Sequence, residues 1–168
     1  NHDEELIANT ILQDVMGVRR DIRVVNLSLG QTAWYIKQLK NREPWGAKKI
    51  PLTFSDEILS YDESDPRALQ PLRDSMATLI HIPVRREIMQ KFTSDTAVLN
   101  RGTMSFLWIG VPKDPQQPTG KQNFYTNNQL VLDIMKTTKF ERPVYFSTTV
   151  GPDVFSGLER FMRLEGMV

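Results

Sequence analysis

Two runs rich in β-branched and aromatic residues most constrain the fold of this chain, because each leads directly into a helical pattern. The first run is Ile22 to Leu29, and an amphipathic segment from Thr32 to Lys40 follows it. The second run is Arg142 to Val150, and residues 151–166 follow it with helical spacing. Apolar residues on both faces of a run are typical of a strand that is covered on both sides. The sequence therefore predicts two strand-to-helix units in one sheet.

The order of the remaining elements predicts an α/β fold: a layered, mostly parallel sheet flanked by helices (Rossmann-like), with right-handed crossovers. An added hairpin is predicted over Ala97 to Pro112, turning at residues 100–102. Further helices are predicted over Asp3 to Met16, between Asp65 and Pro83, and from Asn127 or Asn128 onward.

Length and composition predict a single soluble domain spanning residues 1–168. The chain is 40% hydrophobic and 24% charged, which is ordinary for a globular domain. Its longest uncharged stretch, Gly102 to Pro112, is far shorter than the roughly 20 apolar residues of a membrane-spanning helix. Both ends lie beside helical patterns rather than in polar linkers, so we expect a domain excised from a longer protein.

Charge and residue types exclude several classes of function. The 21 lysines and arginines balance 20 acidic residues, so a net charge of +1 gives no reason to expect a nucleic-acid partner. The absence of cysteine excludes disulfides, thiolate metal sites and cysteine nucleophiles. The two histidines, His2 and His81, lack neighbours at metal-ligand spacing, and no phosphate-loop or dinucleotide motif occurs. We therefore expect no metal and no cofactor, and the catalytic residues are unknown.

One set of polar residues has a rationale as a ligand site, because ligands of open α/β sheets bind at the carboxyl ends of parallel strands. Helix N-termini at those ends offer free amides to an anion or to sugar hydroxyls. The alternative is that Thr32 and Asp153 only cap their helices. The predicted ligand-binding residues are Asn26, Ser28, Gln31, Thr32, Ser147, Thr148, Thr149 and Asp153.

Two segments of the chain resemble a known protein family. The stretches "GVRRDIRVVNLSLGQTAWYIKQLK" and "ERPVYFSTTVGPDVFSGLERFMRLEG" are similar to two signature stretches of a bacterial family of polytopic membrane proteins of unknown function. That family is similar to C-type glycosyltransferases, and its vertebrate relative is the endoplasmic-reticulum protein O-mannosyltransferase of IPT domains. The chain departs from the family pattern at residues 1–6, which keep only part of an acidic motif, and at Gly30, where leucine is common.

The resemblance implies the soluble extracytoplasmic (periplasmic) part of a longer membrane protein. Its expected partners are the membrane-embedded region and downstream repeats of the same polypeptide, with a glycan or an acceptor protein as a further ligand. The expected function is an accessory domain that positions this acceptor or glycan for a membrane-embedded sugar transferase, without turnover by this chain alone. Two alternatives stay open: a self-contained module binding a sugar phosphate or nucleotide, and a purely structural packing domain.

Overall fold

The described part of the chain comprises five short-to-medium helices and five short strands. The computed structural model describes residues 11–118, 120–155 and 157–162, and only the backbone of Trp45 and Arg160. The helices are α1 (Ala33–Asn41), α2 (Arg86–Met89), α3 (Thr96–Arg101), α4 (Thr126–Thr138) and α5 (Pro152–Phe155). The strands are β1 (Leu72–Ser75), β2 (Thr78–Pro83), β3 (Thr103–Trp108), β4 (Val111–Pro112) and β5 (Gln122–Phe124). Single helical turns, four 3-10 and one π, lie at Leu29–Gln31, Pro44–Gly46, Ile58–Ser60, Glu159–Phe161 and Ile11–Val15.

The strands form two small antiparallel sheets. One has three strands in the order β1-β5-β4, and the other is the pair β2 and β3. In the pair, Thr78 lies opposite Trp108 and Pro83 lies opposite Thr103. Alternation along the strands buries Ile80, Ile82, Met104 and Phe106 on the inner face, as expected for a sheet with one face on a core.

This architecture corrects the predicted fold class, since the described residues contain no parallel, Rossmann-like sheet. The stretches 22–29 and 142–150 lie in extended or turn conformation and pair with no strand. No residue of 22–29 is fully buried, and Val25 and Leu27 pack on two different clusters. Their β-branched side chains therefore reflect partial burial rather than a central strand, because β-propensity largely measures packing on a half-buried surface.

The predicted hairpin over 97–112 is also wrong in its first half. Asp95 caps a helix there, because its carboxylate accepts hydrogen bonds from the backbone N–H groups of Ala97 (2.8 Å) and Val98 (3.4 Å). That helix, α3, ends at Arg101 and is followed by the C-cap residue Gly102, whose φ of 61° lies in the left-handed region that glycine tolerates. The second half, β3, is a strand as expected, but its partner is β2.

The segment between Asp65 and Pro83 forms strands β1 and β2 instead of the predicted helix. Asp65 does accept the backbone N–H of Arg67 (2.9 Å), and its carbonyl accepts that of Ala68 (2.9 Å). This closes one turn that is not continued into a helix. Pro71 follows directly, and it would have cost a helix one backbone hydrogen bond.

Helix α4 is the centre of the fold, because it contributes to both hydrophobic clusters. Leu130, fully buried, packs in a cluster with Ile36 and Leu39 of α1. Val131, Leu132 and Met135 pack in a larger cluster with the inner face of β2 and β3. The extended segments 22–29 and 142–150 run over these clusters.

The predicted helix over Asp3 to Met16 begins outside the described residues. His2 and the acidic motif of residues 1–6 also lie outside them. The described residues include no helix whose length and hydropathy would allow it to cross a bilayer.

Candidate functional site: an apolar groove

An apolar groove of about 620 Å³ lies over the larger hydrophobic cluster. It is built by segments far apart in the sequence: the end of β2, helices α2 and α3, β3, the end of α4, and residues 140–162. Its apolar lining is Val84, Ile88, Met89, Phe92, Val98, Met104, Met135, Phe140, Pro143, Val144, Phe146, Val150, Phe155, Leu158, Phe161 and Met162. A volume of this size fits the usual range of ligand pockets, which are mostly apolar with few polar groups.

Phenylalanine and methionine dominate this lining. Five of the eight phenylalanines and four of the seven methionines of the chain contribute to the groove. Methionine is unbranched and polarizable, so surfaces rich in it adapt to different apolar partners. Phenylalanine supplies large contact areas at a small cost in side-chain entropy. Such a surface is suited to apolar side chains of varied shape.

The chain turns sharply into the groove at the end of α4. Lys139 and Phe140 both have positive φ angles, 49° and 58°. This left-handed conformation is rare for a bulky residue, and such strain occurs preferentially at functional sites. It redirects the chain after α4, and the Phe140 side chain contributes to the groove wall.

The rim of the groove is polar. Arg85 Nε lies 3.3 Å from Glu141 Oε1, and both side chains are largely exposed. An exposed ion pair of this kind contributes little to stability. Ser147, Thr148 and the strongly exposed Tyr145 (68%) complete the rim. The rim therefore offers hydroxyls and a charge pair around an apolar floor.

The predicted ligand-binding residues lie in three places. Ser147 and Thr148 lie at the groove, and Thr149 stands next to them with its Oγ1 3.0 Å from Ser147 Oγ. Asp153 lies in the first turn of α5, where its backbone carbonyl accepts a hydrogen bond from Asn128 Nδ2 (3.0 Å). Whether these residues bind a ligand stays a prediction, but the shared rim of parallel strands from which it was derived does not exist.

The other four predicted residues belong to the entry of α1, and none of them lines the groove. Asn26 Oδ1 accepts the backbone N–H of Leu29 (3.0 Å), and Thr32 Oγ1 donates to the carbonyl of Leu29 (2.7 Å). These bonds close the turn before the helix. Ser28 directly precedes the same turn, Leu29–Gln31, and Gln31 is its last residue. Buried Gly30 packs so closely on Leu130 that an added Cβ would lie 2.9 Å from its Cδ2, so a larger residue there would require the Leu130 side chain to shift.

Neither Trp34 nor Trp108, whose aromatic rings could stack on a sugar, lines the groove. Trp34 is 56% exposed on α1, and Trp108 packs on Phe124 with 4.0 Å between ring centroids. His81 faces outward from β2, with Nδ1 2.7 Å from Ser105 Oγ. No three acidic or histidine side chains of the described residues converge at metal-binding distance.

Sequence reasoning missed the groove itself. Its lining comes from residues 84–162, and no local motif marks them as one surface. The available signal was the high density of phenylalanine and methionine in the last third of the chain. From composition alone, these residues are expected in a hydrophobic core.

Fold and groove together define a small mixed helix-and-sheet domain with an apolar groove. The chain belongs to the TMEM260-associated domain 2 family, whose model matches residues 10–107 and 111–168. This confirms the predicted relation to a TMEM260-like, O-mannosyltransferase-related family. No curated protein and no solved structure shows a match to the chain.

Proposed function

We propose that this chain is an extracytoplasmic accessory domain of a TMEM260-like membrane protein, and that its groove holds an apolar segment of an acceptor polypeptide. In this proposal a C-type glycosyltransferase-like region in a bacterial membrane carries out sugar transfer, and the domain on its periplasmic face positions the acceptor. The observation that carries the proposal is the groove lined by phenylalanine and methionine. Such a lining favours a polypeptide over a free glycan, because sugars require more polar contacts and a flat aromatic platform.

The expected mode of binding is that of an amphipathic segment laid into an apolar groove. Apolar residues at i, i+3, i+4 and i+7 of such a segment form one face, and this face enters the groove. The polar rim of Arg85, Glu141, Ser147 and Thr148 would then contact its solvated face. A hydrophobic centre with a polar rim is the usual anatomy of a protein interface.

Binding of amphipathic peptides tests this function. We expect a peptide with leucine and phenylalanine at i, i+3, i+4 and i+7 to bind, whereas a scrambled peptide of the same composition and a manno-oligosaccharide do not. Labelled methionine methyls report the place of binding by NMR. Met89, Met104, Met135 and Met162 line the groove and should shift, while the exposed Met16 and Met76 should not.

Two rim variants and one control sharpen the result. Tyr145→Ala and Phe92→Glu change exposed groove residues and should weaken peptide binding at least tenfold, since aromatic anchors carry much of an interface energy. Trp34→Ala removes a comparably exposed aromatic outside the groove and should leave binding unchanged. Binding of the oligosaccharide instead of the peptide, or equal effects of all three variants, would show that the proposal is wrong.

A second surface favours a packing role toward the rest of the polypeptide. Six large apolar side chains are exposed within twelve residues, at Ile11, Leu12, Val15, Met16, Val18 and Ile22. Exposed apolar patches of this kind mark contact sites. We propose that this patch contacts the membrane-embedded region or the downstream repeats.

Site-directed cross-linking in the full-length membrane protein tests that contact. The chain contains no cysteine, so Val15→Cys gives this domain a single thiol for a photoactivatable maleimide, once any cysteines elsewhere in the full-length protein are replaced by serine. We expect cross-linked products between this domain and another region of the polypeptide. Leu79→Cys, on the exposed face of β2, is the control and should give none. Equal cross-linking from both positions would remove the packing role.

A further inference from the structure

The outer edge of strand β2 carries backbone groups that point away from the sheet. The N–H of Val84, directly after β2, donates to the carbonyl of Gly102 at 2.9 Å, and this bond fixes the phase of the ladder between β2 and β3. In an antiparallel pair, every second residue bonds to the partner strand. The residues of β2 in step with Val84 therefore bond to β3, whereas Leu79 and His81 direct their N–H and C=O groups to the other side.

This outer side of β2 is a free edge. The N–H and C=O groups of Leu79 and His81 have no hydrogen-bond partner among the residues that the structure describes, and both side chains are exposed. The outer edge of β3 is covered instead, since Gly157 packs on the carbonyl of Leu107 with no room for a side chain. Pro83 ends β2 with its nitrogen on the free edge, where proline costs no ladder hydrogen bond.

The free edge lacks the charged side chains that usually protect an edge strand. No lysine, arginine, aspartate or glutamate occurs from Ser75 to Val84. Natural proteins place such charges at open edges, because a row of unpaired backbone groups is a template for a further strand. Pro83 protects only the end of β2. An exposed and uncharged edge of this kind is expected where the strand is paired in the assembled protein.

We propose that β2 pairs with β2 of a second copy of the chain, antiparallel about a two-fold axis at Ile80. The result is a four-stranded sheet in the order β3-β2-β2-β3. In this register Leu79 of each copy lies opposite His81 of the other, and each of these two pairs exchanges two hydrogen bonds. All four outward groups of each copy thereby gain a partner.

The backbone pattern selects both the occupant and the register. A two-fold contact uses the same surface on both copies, and the edge at Leu79 and His81 is complementary to itself. An axis at His81 would place Leu79 opposite Pro83, which has no N–H, so the Leu79 carbonyl would stay unpaired. The net charge of +1 gives only weak repulsion between copies.

The side chains agree with this pairing. Ile80 belongs to the large cluster on the inner face of the sheet, and the two copies of Ile80 would lie opposite each other there. On the outer face, Leu79 is 57% exposed and would pack beside His81 of the other copy. No residue of β2 lines the groove, so this contact is independent of the proposed peptide binding.

Sedimentation equilibrium of the 168-residue chain tests the self-association. We expect a monomer–dimer equilibrium with a Kd of about 0.1 mM, as for a small, transient interface. His81→Pro removes an outward N–H without loss of a bond to β3, and Leu79→Lys places a charge on the edge. Each should weaken the dimer about fivefold or more, with circular dichroism as the check of folding.

Leu107→Lys is the matched control for Leu79→Lys. Leu107 lies opposite Leu79 on the same outer face and is 45% exposed, but it belongs to β3, whose edge is covered. This variant should leave the Kd within about twofold of the wild-type value, because β3 does not contact the second copy.

Cysteine pairing tests the register. The chain contains no cysteine, so Leu79→Cys and His81→Cys each introduce a single thiol. Residues of a hydrogen-bonded antiparallel pair have Cα atoms about 5.5 Å apart, which a disulfide can span. An oxidised mixture of the two variants should therefore give mainly the mixed dimer. Such a link joins this domain to itself, and mass spectrometry distinguishes it from a link to another region of the polypeptide.

Three results would overturn the proposal. The first is a monomer at all concentrations, including one whose β2 amides are protected from hydrogen exchange only in the full-length protein, where another region would cover the edge. The second is equal weakening by Leu79→Lys and Leu107→Lys, which would place the contact on the outer face. The third is preferential linking of His81→Cys to itself, which would move the axis to His81.

Discussion

Replacing Phe106 with alanine is expected to lower the free energy of unfolding by about 3–5 kcal/mol. Phe106 is 1% exposed on the inner face of β3, opposite Ile80 of β2, and belongs to the cluster beneath the groove. Truncation removes its apolar contacts and leaves a cavity that the short two-stranded sheet cannot close. Chemical denaturation followed by circular dichroism measures this loss.

The same variant is expected to disturb the groove, because Met104 lies two residues earlier on the same face of β3 and lines it. The methyl resonance of Met104 should shift in the Phe106→Ala variant even without peptide. Leu79→Ala is the matched control on the opposite face of this two-stranded sheet, where Leu79 is 57% exposed. It should change stability by about 0.5 kcal/mol or less. A loss below about 1 kcal/mol for Phe106→Ala would contradict the assignment of this cluster as the main core.

Two helices, α1 and α4, were predicted from the sequence because their formation depends on residues that are close together in the chain. The amphipathic pattern over 32–40 gave α1, which spans Ala33–Asn41. Asn127 or Asn128 was predicted to begin α4, which instead begins at Thr126 with Tyr125 as its N-cap; Asn128 Oδ1 accepts the backbone N–H of Tyr125 at 2.8 Å. Residue spacing in both segments, and a capping box at the start of α4, act within a few residues, so the sequence alone is sufficient for these helices.

Strand pairing was not predictable in the same way, because it depends on residues distant in the chain. β2 pairs with β3 across about twenty-five positions, and β1 pairs with β5 across about fifty. The run at 142–150 has the composition of a strand but lies along the groove, with Pro143 and Tyr145 more exposed than Val144 and Phe146. Exposure alternates along this run because one side of the extended segment faces the groove and the hydrophobic cluster. Composition cannot distinguish such a segment from a strand in a sheet.

The candidate site was predictable only in part. Ser147 and Thr148 were selected from the sequence and do lie at the groove, but the reason given for them, a rim of parallel strands, is wrong. The spacing of the groove's phenylalanines and methionines along the sequence does not show whether they form a binding surface or a hydrophobic core. Their common surface follows from the turn at Lys139 and Phe140, which no local motif indicates.

Replacing Asp133 with alanine is expected to lower the free energy of unfolding by about 2–4 kcal/mol. Asp133 is only 9% exposed on α4. Its Oδ2 accepts the backbone N–H of Thr53, and its Oδ1 accepts the Thr53 hydroxyl, each at 2.7 Å. Hydrogen bonds to a carboxylate are stronger than neutral ones, and the truncation leaves two partly buried donors without an acceptor. Chemical denaturation measures the loss.

Asp133→Asn and Thr53→Val separate the parts of this contact. The asparagine amide keeps one acceptor oxygen, and its NH2 can donate to the Thr53 hydroxyl, so we expect a smaller loss of about 1–2 kcal/mol. Thr53→Val removes the hydroxyl bond and keeps the backbone N–H. A double-mutant cycle of Asp133→Ala with Thr53→Val should therefore give a coupling energy of about 1 kcal/mol or more. Additive losses would mean that the carboxylate does not hold residues 50–54 against α4. The smaller cluster, which includes Ile50 and Leu52, would then depend on apolar packing alone.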